Sequence, residues 1–125
     1  MKATITSLIF LLLSLTVSSQ TYKYIGIEEG LSNQKIYKIQ KDARGYMWFL
    51  THVGIDQYNG KEIKHYKLRE GNRELDPLLN INWTFLDKTG TLLVTGKQGR
   101  IFRYDSGHDR FVQIYSMYNY WNKDY

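Results

Sequence analysis

From residue 35 onward the chain is written in short apolar runs cut by turn residues. Ile36 and Lys38 alternate with Tyr37 and Ile39, and Ile101 and Arg103 with Phe102 and Tyr104, a period of two that sends successive side chains to opposite faces of a strand. Tyr46 to Leu50, YMWFL, instead runs apolar without a break, the pattern of a strand covered on both faces. No window of helical length keeps an i, i+3, i+4, i+7 apolar stripe clear of Gly, Asn and Asp. The pattern predicts strands at Lys35 to Gln40, Tyr46 to Thr51, Ile55 to Tyr58, Ile63 to Leu68, Ile81 to Leu86, Thr91 to Thr95, Ile101 to Tyr104 and Phe111 to Tyr115. Short strands in unbroken succession form hairpins, so the expected fold is all-β.

The pattern also returns on itself. A shift of 45 residues lays Asp42 on Asp87, Gly45 on Gly90, Met47 on Leu92, Trp48 on Leu93, Phe49 on Val94 and Gly54 on Gly99, and one inserted residue then brings Tyr58 onto Tyr104. A repeat of this length falls in the range of β-propeller blades. Asp and Gly three apart, in DARG and DKTG, suit a tight turn in which the carboxylate caps backbone N–H groups and glycine accepts a positive φ. Asn59-Gly60 signals a two-residue hairpin. Each unit, at about 35–70 and 80–116, is therefore expected to be one four-stranded antiparallel meander, a single blade. The residues expected to carry this repeat are Asp42, Gly45, Trp48, Thr51, Gly54 and Tyr58, then Asp87, Gly90, Leu93, Gly99 and Tyr104.

The first residues break the pattern. Ile5 to Val17, ITSLIFLLLSLTV, has the length of a secretory apolar core and falls short of the roughly 18 residues expected of a membrane span. Residues 1–19 are read as a signal peptide, cleaved after Ser19, with an uncleaved membrane anchor as the alternative. Export would leave residues 20–125 as one small domain near +4, since the full chain carries +5 and the leader removes only Lys2. Lys and Arg are interleaved with Asp and Glu, which describes a solvated surface and not a nucleic-acid groove. There is no cysteine, so disulfides, thiolate metal sites and a cysteine nucleophile are excluded.

These residues resemble a known family. GLSNQKIYKIQKDARGYMWFLTHVGIDQYNGKEIKHYK is similar to the opening of the periplasmic sensor region of two-component regulators, the propeller-repeat proteins of hybrid histidine kinases common among Bacteroidetes. In the first unit Asp42, Gly45, Met47, Trp48, Phe49, Thr51, Gly54, Ile55, Tyr58 and Asn59 fit the repeat, and Leu50 departs where glycine is usual. In the second, Leu93 replaces the tryptophan and Gly96 the threonine. The resemblance implies a short strand around Tyr22 to Ile27 that in relatives completes the last blade. It also implies a long parent, with one or two propellers, an immunoglobulin-like domain, a membrane helix and a kinase. No phosphoacceptor or ATP-binding motif occurs in these residues, and no enzyme activity or cofactor is expected of them. A propeller closes with about four to eight blades, and two are present, so the chain is expected to be an N-terminal fragment whose ring needs further blades or other chains.

Chemical candidates are sparse. His52, His65 and His108 lack metal-site spacing, so no metal is expected. YDSGHDR at 104–110 lacks the calcium-loop spacing, TGKQG at 95–99 lacks the phosphate-loop Ser/Thr, and the sequon at Asn82 lies in a strand expected to be buried. Trp48 and Trp83 are both expected to pack between blades, not to stack on a sugar. The expected function is ligand sensing in signal transduction, with an oligosaccharide or another small ligand as partner through the complete propeller and no nucleic acid. The alternative is a stand-alone secreted propeller-type binding module without a kinase.

Overall fold

The computed structural model describes Met1, residues 20–76, Ile81 and residues 83–117. The leader, Pro77, the sequon residue Asn82 and the C-terminal YNYWNKDY lie outside the described residues.

Two four-stranded antiparallel meanders follow one another along the chain. The first holds β1 (Ile36–Lys41), β2 (Met47–Thr51), β3 (Gly54–Tyr58) and β4 (Ile63–Tyr66), in that spatial order. The second holds β7 (Trp83–Leu86), β8 (Leu92–Thr95), β9 (Ile101–Asp105) and β10 (Arg110–Tyr115), again neighbour to neighbour. Between them a small ribbon pairs β5 (Arg69–Glu70) with β6 (Arg73–Glu74). The chain is all-β in the described residues, built of propeller blades that do not close into a ring.

Register explains which side chains meet. Directly opposed residues in an antiparallel pair share a face. Trp48 lies opposite Gln57 and Leu50 opposite Ile55, while Ile55 lies opposite Tyr66. That face packs against the second sheet's Leu92, Val94, Phe102, Tyr104 and Phe111. Trp48, Tyr66, Tyr104 and Phe111 form an aromatic cluster with centroid separations from 4.8 Å, for Trp48–Tyr104, to 5.8 Å, for Tyr66–Phe111. Burying such a side chain is worth up to about 3 kcal/mol, and edge-to-face pairing adds about 1 kcal/mol per pair.

The opposite face of the first sheet carries Thr51 and Asp56. Ser32 lies over it, donating from its backbone N–H and its hydroxyl to Asp56 Oδ2, each at 2.8 Å. Its hydroxyl also bonds Thr51 Oγ1 at 3.0 Å. This is why β2 is apolar throughout: both of its faces are covered, and Trp48 to Thr51 are all buried. The second sheet has no such cover. Trp83, Phe85, Val112 and Ile114 stay exposed, with Trp83 at 56% and Phe85 at 38% of full accessibility.

Four details depart from the sequence expectation. Tyr22 to Ile27 is not a strand: Tyr22 and Tyr24 are exposed, and Gly26 to Gly30 form a turn closed by Gly30 N–H to Ile27 O at 3.0 Å and Leu31 N–H to Gly26 O at 3.0 Å. No sheet edge among the described residues receives it. Trp83 does not pack between the blades, because its face of the second sheet is the open one; Lys38 Nζ instead lies 4.4 Å over its ring and donates to the Thr84 carbonyl. The hairpin at Asn59 is a four-residue loop between Tyr58 and Ile63, in which Asn59 Oδ1 accepts from Lys61 and Glu62 N–H, each at 2.9 Å. Finally, β4 stops at Tyr66, and the ribbon that follows is pinned by Leu68 and Leu75, both buried and joined by Leu75 N–H to Leu68 O at 2.9 Å.

Candidate functional site

The repeat residues gather at the turns of the two sheets and in the core between them, except Leu93, which lies on the outer face of the second sheet between Phe85 and Arg103. In the first unit, Asp42 Oδ1 accepts from the backbone N–H of Arg44 at 2.9 Å and of Tyr46 at 3.0 Å. Its Oδ2 accepts from the Trp48 indole at 3.0 Å and from Arg44 Nη2 at 3.1 Å. Burial pushes this carboxyl up, but the bonds from Trp48, Tyr46 and Arg44 outweigh it, and the net direction is down. Gly45 and Gly90 occupy the same place in the two turns with φ of 86° and 73°, conformations that glycine adopts without steric cost.

The second unit reaches the same result with different donors. Asp87 Oδ1 accepts from Thr89 N–H at 2.8 Å, the Thr89 hydroxyl at 2.6 Å and Thr91 N–H at 3.0 Å. Leu93 has no side-chain N–H to offer, and Arg103 Nε donates to Asp87 Oδ2 at 2.9 Å in its stead. Arg103 is the cross-strand partner of Leu93, as Gln57 is of Trp48. The donor has moved one strand across the sheet. The Thr89 hydroxyl, the Thr91 N–H and Arg103 hold Asp87 well below the usual carboxylate range.

The two turns touch. Ala43 N–H donates to Gly90 O at 3.1 Å, and a Cβ on Gly90 would meet the Ala43 Cβ at 2.4 Å. Thr51 closes the β2–β3 turn by donating its hydroxyl to Gly54 O at 3.1 Å, and a Cβ on Gly54 would meet Tyr66 O at 3.2 Å. Gly99 ends the β8–β9 connection with φ 64°, against Met117. Tyr58 and Tyr104, equivalent in sequence, part ways: Tyr58 donates to Gly60 O at 2.6 Å, whereas Tyr104 is buried in the aromatic cluster and donates to Asp109 Oδ1 at 2.6 Å.

Asp109 is a site residue that the sequence pattern did not single out. It sits at φ 50°, where Asp is tolerated better than most side chains. Tyr66 OH also donates to its Oδ1 at 2.6 Å, and Lys64 Nζ to its Oδ2 at 3.0 Å. The bonds from Tyr104, Tyr66 and Lys64 lower its pKa to about 2. Burial and the same carboxylate push the Tyr66 phenol up. Asp109 thus ties the outer strand of the first blade to the second.

Each histidine has a neighbour: His52 Nδ1 with Tyr37 OH at 2.7 Å, His65 Nδ1 with Asp56 at 2.8 Å and His108 Nδ1 with Asp105 at 2.7 Å. Among the described residues no three His, Asp or Glu side chains are grouped to hold a metal. The geometry of the repeat residues is that of turn caps and an interlocked core.

Residues 30–52 match the family model of the two component regulator propeller. Over that stretch the chain is similar to the two component regulator propeller. The matched stretch runs from Gly30 through β1, the Asp42 turn and β2 to His52, so it contains the Asp42–Trp48 bond and the Thr51 contact to Ser32. Within the first blade, Ile55, Asp56 and Tyr66 of β3 and β4 lie outside the matched stretch. No curated protein matches the chain.

Proposed function

We propose that this chain forms part of the extracytoplasmic, ligand-sensing propeller of a two-component sensor, exported by residues 1–19 and cleaved after Ser19. The observation that carries the reading is the two component regulator propeller match at 30–52, on a blade that is followed by a second blade of the same internal repeat. A sensor of this kind acts by binding one of two states more tightly and shifting a kinase between them. The blades supply scaffold and surface, and the catalytic step belongs to the kinase.

Two experiments test it. The reading frame past the Tyr125 codon is expected to continue, directly or after an interruption, into further D-x-x-G blades, a membrane span and a kinase. A stop followed by an unrelated gene would overturn the sensor assignment in favour of a stand-alone module. Expression of the full chain in a Gram-negative host should yield a periplasmic product whose mass begins at Gln20, and retention of residues 1–19 in the cytoplasm would contradict export.

A further inference from the structure

A cavity of about 680 Å³ opens between β4, the β5–β6 ribbon and β10, against the outer strands of both sheets. Small-molecule sites typically occupy about 300–1,000 Å³. Besides Tyr66, the charged and titratable residues lining this one are His65, Lys67, Arg69, Glu70, Asp109 and Arg110. Both carboxylates are already engaged. Glu70 receives Arg73 Nη2 at 3.1 Å and Arg100 Nη2 at 3.2 Å. Asp109 receives two phenols and Lys64. Lys67 is paired with Glu74 at 2.6 Å, and His65 with Asp56.

Arg69 and Arg110 have no side-chain partner among the described residues. Two arginines without a side-chain partner among the described residues therefore line one concavity whose own carboxylates are each held by another cation. Concave surfaces of one sign concentrate counter-ions, and the planar guanidinium fork matches the oxygens of a carboxylate or sulfate in two parallel bonds. We infer that this cleft binds a small ligand through an oxyanion, with Arg69 and Arg110 as its anchors. The inference stands apart from the sensor reading, because it concerns this chain's own surface and needs no kinase.

The test is a titration of the ¹⁵N-labelled full chain with sodium sulfate and with sodium acetate, against sodium chloride at equal ionic strength, following the arginine Nε–Hε resonances. The expected result is a saturable shift of Arg69 and Arg110 with one or both oxyanions and none with chloride. The preferred anion distinguishes a tetrahedral from a planar group. Arg69→Gln and Arg110→Gln should each weaken binding about tenfold, and Lys88→Gln, away from the cleft, should leave it unchanged. Both arginines are exposed, so the variants should melt with the parent protein. No saturable shift beyond chloride, or affinity unchanged from the parent protein in both cleft variants, would overturn the site.

Discussion

Asp42 and Asp87 show how one turn is kept while its donors change. The backbone half of the cap, Oδ1 to N–H groups two and four residues on, is the same in both units. From the sheet, Oδ2 takes the Trp48 indole where the face is covered, with the turn's own Arg44 beside it, and the Arg103 guanidinium where the face is open, so that Arg103 keeps 42% of its side chain in water. A charge is inexpensive at the open position and would be costly between the blades. Trp48→Ala is expected to cost about 3–5 kcal/mol in urea unfolding, from lost burial and a lost donor to Asp42. Gly90→Ala should also destabilise, through both its φ and its collision with Ala43; Ala43→Gly in the same chain should restore the collision part alone. Asp109 offers a pH test. Its folded pKa of about 2 lies below the ordinary 3.8, so its contribution is present above about pH 4 and is lost as pH falls through about 2. The stability gap between the parent protein and Asp109→Asn should therefore be widest above pH 4 and narrow toward pH 2. The Asp-Gly turns were legible in the sequence because both groups act within four residues of each other. The Arg103 substitution was not, since only the sheet register places residue 103 beside residue 93.

At the scale of elements, all eight principal strands follow from apolar runs and the turns between them. What escaped the pattern depended on tertiary partners. The β5–β6 ribbon is written Arg-Glu and Arg-Glu, with no apolar alternation, and is held by Leu68 and Leu75 reaching the core from its two ends. Leu68→Ala is expected to cost about 2–5 kcal/mol and to speed hydrogen exchange in the ribbon. The family resemblance implies a strand at Tyr22 to Ile27 that completes a last blade, and among the described residues no sheet edge pairs with it. Trp83 reads as core by composition, but burial depends on which face is covered, and that lies beyond the reach of a single strand's sequence.

The whole molecule is asymmetric. One blade has its far face covered around Thr51 and Asp56 by the Leu31–Ser32 segment, with Ile39 left exposed, and the other leaves Trp83, Phe85, Val112 and Ile114 in solvent. Exposed apolar side chains on one sheet face promote association, even with Arg103 set between Leu93 and Val112. The chain is expected to associate at micromolar concentration in sedimentation, with a broad urea transition, and Phe85→Lys should shift it toward monomer. A monomeric parent protein with a sharp transition would contradict this reading of the open face. Beneath it lies the central claim, that the two repeats pack as consecutive blades through Trp48, Tyr66, Tyr104 and Phe111. The most direct measurement is a nuclear Overhauser spectrum of the Phe85→Lys protein. Cross-peaks from the Trp48 ring to the Tyr104 and Phe111 rings, and from the Ala43 methyl to Gly90 Hα, are predicted. A dispersed spectrum that holds the contacts within each sheet and lacks these between them would contradict the account.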